Sequence, residues 1–212
     1  MLLGLRRIIS LRSQKEVKKK LLDAAFWITV ASLFYFWAIL FFALIFISLI
    51  LYSDNNIRHW IIPITGAITV TVIAFTVSIL LNENFFELYN ISTEVSFDFS
   101  QYNSLKYLVA ITTLLSFGIW SSIYYLNNIK KKKKASRSSF KIIIIAALIG
   151  FSIIIHAPNK NGSEFLFLYA PLAIIISNYI DIIKEKWFEE IFLAVLVFTP
   201  FVILFLEFFS KG

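Results

Sequence analysis

The sequence predicts an all-α fold, a polytopic transmembrane helical bundle of about six hydrophobic segments. Of the 212 residues, 59% are hydrophobic and only 16% are charged, whereas soluble proteins average roughly 45–50% apolar and about 25% charged residues. The apolar residues also fall in long runs. Most of these runs are close in length to the roughly 20 residues that a helix needs to cross a hydrocarbon core. Because a helix satisfies its own backbone hydrogen bonds in lipid, we interpret these runs as helices.

Six hydrophobic segments follow one another along the chain. The first is the longest and would reach about 42 Å as a single helix, so it must tilt or protrude. The fourth is short for a crossing unless the bilayer thins or its flanking residues snorkel. In chain order the segments are 24–51, 60–81, 105–127, 142–157, 165–183 and 188–209.

The segments define one membrane domain, 24–209, with a polar loop at 82–104 and a basic loop at 128–141. A basic juxtamembrane segment, 1–23, precedes it. This segment could form a basic helix on the membrane surface that contacts anionic headgroups. A positively charged anchor for the helix that follows is the interpretation we favour, because Lys and Arg flank membrane helices on one side.

The distribution of Lys and Arg leaves two topologies open. If all six segments cross, nine basic residues lie on one side and ten on the other, with Lys106 inside the third helix, and the positive-inside rule gives no orientation. If segment 60–81 enters and leaves on the same face, the counts become 16 and four. Pro63, Gly66 and four threonines in that segment favour such a broken, re-entrant helix.

Polar residues recur on one face of the segment 165–183. Glu164, Pro171, Asn178 and Glu185 are spaced by seven residues, and Asp181 lies about one turn beyond Asn178. Lipid disfavours such a face, so we expect it to point into the bundle and to hold helices together. The alternative is a substrate-binding or lipid-binding site. Its candidate residues are Glu164, Pro171, Asn178 and Asp181.

A run of cations in the basic loop has the density expected for contact with anionic lipid headgroups. A topological anchor is again the simpler interpretation. Nucleic-acid binding would require interleaved aromatic residues or a folded module, so we predict no nucleic-acid partner. The candidate headgroup contacts are Lys130, Lys131, Lys132, Lys133, Lys134 and Arg137.

The stretch 156–171, "HAPNKNGSEFLFLYAP", predicts a turn between two helices at the membrane surface. Asn161-Gly162 is a strong turn signal, and Asn161 with Glu164 has the spacing of a capping box. Pro158 ends the preceding helix.

The sequence carries no recognisable catalytic constellation. Cysteine is absent and there are two histidines, His59 and His156, so neither a thiolate site nor a multi-histidine metal centre can be built. Phosphate-binding loops, zinc-protease helices and nucleophile elbows are also missing. We therefore predict no catalytic residue, no metal and no cofactor.

Four stretches, "LRRIISLRSQKEVKKKLLDAAFW", "FDFSQYNSL", "HAPNKNGSEFLFLYAPLAIIISNYI" and "EKWFEEIF", resemble an uncharacterised family of multi-pass inner-membrane proteins from Bacteroidetes-type bacteria. The resemblance implies an inner-membrane location and carries no established activity or catalytic residues. Family members are longer at the N-terminus, so the resemblance also implies a shortened member.

These observations favour a non-enzymatic, multi-pass component of the inner membrane that acts in the envelope or in a membrane complex. Its expected partners are the lipid bilayer, anionic lipids and other membrane proteins. One alternative is a transporter or lipid-handling protein with a site on the 164–185 helix face. A second alternative, an intramembrane enzyme, is disfavoured by the missing acid–base and metal groups.

Overall fold

The computed structural model describes residues 1–52, 56–89, 91–183 and 185–210, with side chains except at 135 and 206–210. Within these ranges the chain forms nine α-helices and no strand, which confirms the all-α prediction. The helices are α1 (Leu2–Ser10), α2 (Val17–Phe34), α3 (Phe41–Leu51), α4 (Ile57–Leu80), α5 (Phe85–Leu88), α6 (Leu105–Ile129), α7 (Lys134–His156), α8 (Leu166–Ile180) and α9 (Lys186–Ser210).

Five of the described helices are long and apolar enough to cross a membrane. They correspond to the last five predicted segments. Helix α7 corresponds to the predicted segment 142–157, but it runs from Lys134 to His156 and has 23 residues, about 35 Å. The predicted short crossing is therefore wrong. The five spans are Ile57–Leu80, Leu105–Ile129, Ser136–His156, Ser163–Ile180 and Lys186–Phe205.

The first predicted segment, 24–51, is not one helix. Helix α2 ends at Phe34, and Tyr35 takes an extended conformation with φ −148° and ψ 101°. A 3-10 turn, Phe36–Leu40, then leads into α3. The break carries no Gly or Pro, and the aromatic run around Tyr35, with its modest helix propensity, is the only local signal for it.

The two pieces fold back on each other as the α2–α3 hairpin. At its base, Lys20 Nζ lies 2.9 Å from the Ser10 carbonyl oxygen and Tyr52 OH lies 3.3 Å from the Ile9 carbonyl oxygen, so α2 begins where α3 ends. At its tip, the Trp37 ring lies 5.5 Å from the ring of His156, the last residue of α7. The hairpin therefore enters and leaves at one end of the bundle and reaches the other end.

Helix α4 is continuous over 24 residues, so segment 60–81 is not the broken helix that the re-entrant alternative assumed. Pro63 lies near the start of the helix and is buried, as is Gly66. A Cβ at Gly66 would lie 3.0 Å from Ala25 Cβ and 3.3 Å from the Leu22 carbonyl oxygen. Glycine is needed there because α2 and α4 approach each other closely.

The threonines of α4 do not mediate helix packing, contrary to the usual role of such residues. All four are exposed. Each hydroxyl donates to a carbonyl of its own helix at 2.8 to 3.0 Å.

The hairpin sorts the basic residues to one end of the bundle. We call this the basic end; it holds the hairpin base and the 130–134 loop. The opposite, or turn, end holds the hairpin tip and residues 157–165. Of the 18 described Lys and Arg, only Lys106 and Lys160 belong to the turn end. A re-entrant segment 60–81 would also have placed most of the basic residues on one side. In the structure, this asymmetry of charge arises instead because residues 17–51 fold back on themselves.

Helix α1 packs its apolar side against α2. Leu5 and Ile8 are buried, and Arg7 Nε lies 3.1 Å from Asp23 Oδ2. The main core is formed by α1, α2, α3 and α7, and a second cluster fills the space between α6, α7 and α8. Helix α9 lies beside α6, where the Phe117 and Phe192 rings are 4.4 Å apart.

Candidate functional site

An open groove of about 710 Å³ lies at the basic end of the bundle. It combines cationic and hydroxyl side chains with apolar ones, and we call it the headgroup groove. Residues from α1, from the turn that follows it, and from α2, α7 and α8 form its walls. They are Ile9, Ser10, Arg12, Ser13, Lys20, Ser139, Phe140, Ile143 and Asn178.

The chain reversal between α1 and α2 positions the cations of the groove. Gln14 and Glu16 have positive φ angles of 52°, which turn the chain back after the short 3-10 helix Leu11–Ser13. Lys20 Nζ then donates to Ser13 Oγ at 2.6 Å, whereas the Arg12 side chain is exposed. One cation is thus held by protein groups, and the other is exposed at the wall of the groove.

The opposite wall is fixed by hydrogen bonds between α3 and α7. The hydroxyl groups of Tyr52 and Ser139 lie 3.0 Å apart, and Ser138 Oγ donates to the Leu51 carbonyl oxygen at 2.9 Å. Burial raises the pKa of the Tyr52 phenol, and the Ser139 hydrogen bond and the Arg12 charge partly oppose that shift. The positive charge of Arg12 therefore acts on the Tyr52 phenol at this wall.

The lysine run borders the groove. Lys132 Nζ lies 5.3 Å above the ring of Phe140, which lines the groove, and Lys130, Lys131, Lys133 and Lys134 are exposed. Arg137 has a structural role that sequence reasoning missed. Its guanidinium donates to the carbonyl oxygens of Lys132 at 3.1 Å and Lys130 at 2.6 Å, and it thereby closes the turn between α6 and α7.

The four candidate residues of the α8 face do not form one site. Glu164 is at the turn end and Asn178 at the basic end, roughly 20 Å apart along the helix. Pro171 is buried and Asp181 is exposed just after α8. Asn178 Nδ2 donates to the Ile174 carbonyl oxygen at 2.9 Å, within its own helix. Of the four, only Asn178 lines the headgroup groove.

Two ionisable residues are buried together at the turn end. Lys160 is 2% exposed and Glu164 is 0% exposed. Lys160 Nζ donates to the carbonyl oxygens of Ile154 and Ile155 at 2.6 and 2.7 Å, and burial lowers the pKa of Lys160. It thus caps the C-terminus of α7, where a cation is favourable. Sequence reasoning did not identify Lys160, because the loop gave no sign of its burial.

The predicted capping box is replaced by a related arrangement. Asn161 Oδ1 accepts from the Ser163 N–H at 3.1 Å, and Glu164 Oε1 accepts from the Gly162 N–H at 3.1 Å. Glu164 Oε1 also accepts a hydrogen bond from the Tyr102 hydroxyl. The carboxylate therefore joins the turn to the chain segment before α6.

No group of three or more His, Cys, Asp or Glu among the described residues could hold a metal ion. His59, at the start of α4, and His156, at the end of α7, lie at opposite ends of the bundle. The two histidines cannot share one site in this arrangement.

A family model described as a family of unknown function, DUF6427, matches residues 2–211. Comparison with the curated proteins and with the solved structures finds no match for the chain.

Proposed function

Because the chain belongs to the DUF6427 family of unknown function, no activity comes to it from a relative, and we propose a function from its geometry. We propose that the protein is a non-enzymatic, lipid-handling membrane protein that binds an anionic phospholipid in the headgroup groove. The observation that carries this proposal is the pairing of Arg12 and Lys20 with apolar walls in one groove that α1, α2 and the turn between them form with α7 and α8.

The polar side chains of the groove suit the phosphate of a phospholipid, and its apolar side chains suit the part of the lipid that follows the phosphate. Arg12 presents a guanidinium, which can bind two phosphate oxygens at once, and Lys20 adds a point charge. The hydroxyl groups of Ser13 and Ser139 add polar surface beside these cations. Ser13 Oγ donates to the Ser10 carbonyl oxygen and Ser139 Oγ pairs with Tyr52 OH, so the two cations carry the phosphate contacts. The apolar side chains, Ile9, Phe140 and Ile143, suit the glycerol backbone and the first acyl carbons. Basic pockets between membrane helices are a recurring form of headgroup recognition.

The charge asymmetry supports a location and an orientation for this site. Sixteen of the 18 described Lys and Arg belong to the basic end, and cytoplasmic loops carry the excess of positive charge. We therefore propose that the protein lies in the inner membrane with its basic end in the cytoplasm. The headgroup groove then faces the leaflet whose negative surface potential attracts cations.

The proposal is tested by thermal unfolding of the purified protein in detergent with added lipid. We expect phosphatidylglycerol to raise Tm more than phosphatidylcholine does, because a ligand that binds the folded state stabilises it. In Arg12→Gln the affinity for phosphatidylglycerol should fall about tenfold, the effect of one charge-assisted hydrogen bond. Lys19→Gln removes an equal charge at an exposed position outside the groove and is the matched control.

Two outcomes would contradict the proposal. Equal stabilisation by the two lipids would show that the groove does not recognise the net negative charge of the phosphatidylglycerol headgroup. Equal losses in Arg12→Gln and Lys19→Gln would show that only the general positive potential of the basic end attracts the lipid.

The other predicted functions receive less support from the geometry. A transporter site on the 164–185 face would need Glu164 and Asn178 close together, but Glu164 lies in the turn before α8 and Asn178 near the other end of that helix. The role of a subunit in an envelope complex stays a prediction. Loss of a co-purified partner after deletion of residues 130–134, with phosphatidylglycerol binding retained, would favour it.

A further inference from the structure

A loop segment that we call the strap, residues 91–104, covers the turn end of the bundle. It touches the turn at three places. The Phe97 ring lies 6.2 Å from the His156 ring, the Phe99 ring lies 4.7 Å from Lys160 Nζ, and the Tyr102 hydroxyl donates to Glu164. The strap is therefore the covering layer between this turn and the aqueous phase.

The Glu164 carboxyl group beneath the strap is only half satisfied. Oε1 accepts from two donors, the Tyr102 hydroxyl and the Gly162 N–H. Oε2 is buried and has no hydrogen-bond partner among the described residues. Two donors from the tip of the α2–α3 hairpin, Tyr35 OH and Trp37 Nε1, are also buried without a partner there. An isolated carboxylate oxygen in such surroundings costs several kcal/mol.

Neighbouring groups do not neutralise this oxygen. Lys160 Nζ is occupied by two backbone carbonyls, and no ion pair within 4.0 Å joins it to Glu164 in the part of the chain that the structure describes. The other titratable groups around the carboxyl come from the hairpin tip, the strap, α6, α7 and α8. Tyr35, Tyr102 and Tyr169 act on the carboxyl directly. Tyr107 and His156 lie further out, where they contact the rings of Tyr102 and Trp37.

We propose that Glu164 Oε2 is a binding site for one exchangeable positive charge, either a proton or a monovalent cation, taken from the aqueous side of the strap. A proton on Oε2 makes the carboxyl group neutral, which removes the cost of burying a charge. A monovalent cation neutralises the same oxygen and can also contact the faces of the surrounding aromatic rings. This site lies at the end of the bundle opposite the headgroup groove and does not depend on it.

Infrared spectroscopy and a salt titration together test the proposal. Glu164→Gln places an amide NH2 where the proton would lie and keeps an acceptor for Tyr102 and Gly162, so it mimics the protonated group. Glu94→Gln, at an exposed position of the strap, is the matched control. The spectra are recorded at pH 7, and Tm is measured with sodium and with choline chloride at equal ionic strength.

Each outcome decides between the two sources or rejects both. A C=O stretch of a protonated carboxyl group that is lost in Glu164→Gln and kept in Glu94→Gln identifies the proton. Its absence, with a Tm that sodium raises in the wild type and not in Glu164→Gln, identifies the cation. An ionised Glu164 with a Tm that is insensitive to sodium overturns the proposal. If Glu164→Gln does not fold, the protein labelled with carboxyl-13C glutamate supplies the spectrum, and Glu164→Asp in the labelled protein shows whether the band belongs to position 164, because an aspartate there carries no label.

Discussion

The hydroxyl oxygens of Tyr52 and Ser139 lie 3.0 Å apart although 87 residues of chain separate them. Tyr52 follows α3 and Ser139 lies in the second turn of α7. This contact joins the end of the α2–α3 hairpin to α7 at the basic end, and it places the start of α7 beside the end of α3. The headgroup groove exists because these elements meet here.

Tyr52→Phe should lower the free energy of unfolding by about 1 kcal/mol, the usual net value of a lost hydrogen bond. The substitution removes the hydroxyl that contacts Ser139 and the Ile9 carbonyl oxygen and keeps the ring. Thermal unfolding in detergent measures the change. Tyr124→Phe, on an exposed face of α6, is the control, and equal Tm values for the two variants would count against the contact.

The hairpin predicts which positions a membrane-impermeant maleimide can reach together. The native chain has no cysteine, so single cysteines at Gln14, Ile57 and Glu94 can be compared directly. We expect Gln14→Cys and Ile57→Cys to be labelled from one side of the membrane and Glu94→Cys from the other. If residues 24–51 crossed once as a single helix, positions 14 and 57 would be labelled from opposite sides.

Two glycines should differ in their tolerance of a methyl group. A Cβ at Gly150 would lie 2.8 Å from the Phe167 carbonyl oxygen and 3.0 Å from Leu168 Cα, both backbone atoms that cannot move alone. Gly150→Ala should therefore force α7 and α8 apart and cost about 1–3 kcal/mol. Thermal unfolding of the variant and the wild type in detergent measures this loss of stability.

Gly118→Ala is the comparison for that prediction. Its Cβ would meet only the Leu172 side chain, at 3.2 Å, and a leucine can adjust its rotamer. Alanine also favours the helix by up to about 1 kcal/mol over glycine. We expect a Tm close to that of the wild type, and a loss as large as that of Gly150→Ala would show that the α7–α8 backbone contact is not the cause.

Sequence reasoning located the membrane helices more reliably than it located the site. Segments 105–127 and 188–209 correspond closely to α6 and α9, because a long apolar run is a local property that lipid imposes directly. Of the predicted face 164–185, only Pro171 and Asn178 lie within α8, because Glu164 precedes the helix in a 3-10 turn and Asp181 and Glu185 follow its end; Glu164 and Asn178 therefore lie at opposite ends of the bundle. Periodicity along one helix says which residues share a face and nothing about which other helices meet them.

The composition and order of the residues determined that this chain is a bundle of apolar helices with clustered cations, since hydrocarbon leaves few alternatives to the helix. Only the tertiary structure decided that the chain turns back at Tyr35, and so which charges gather at one end. No residue near Tyr35 forces that turn by itself. It is held by contacts distant in sequence, at the base between Tyr52 and Ser139 and at the tip between Trp37 and His156.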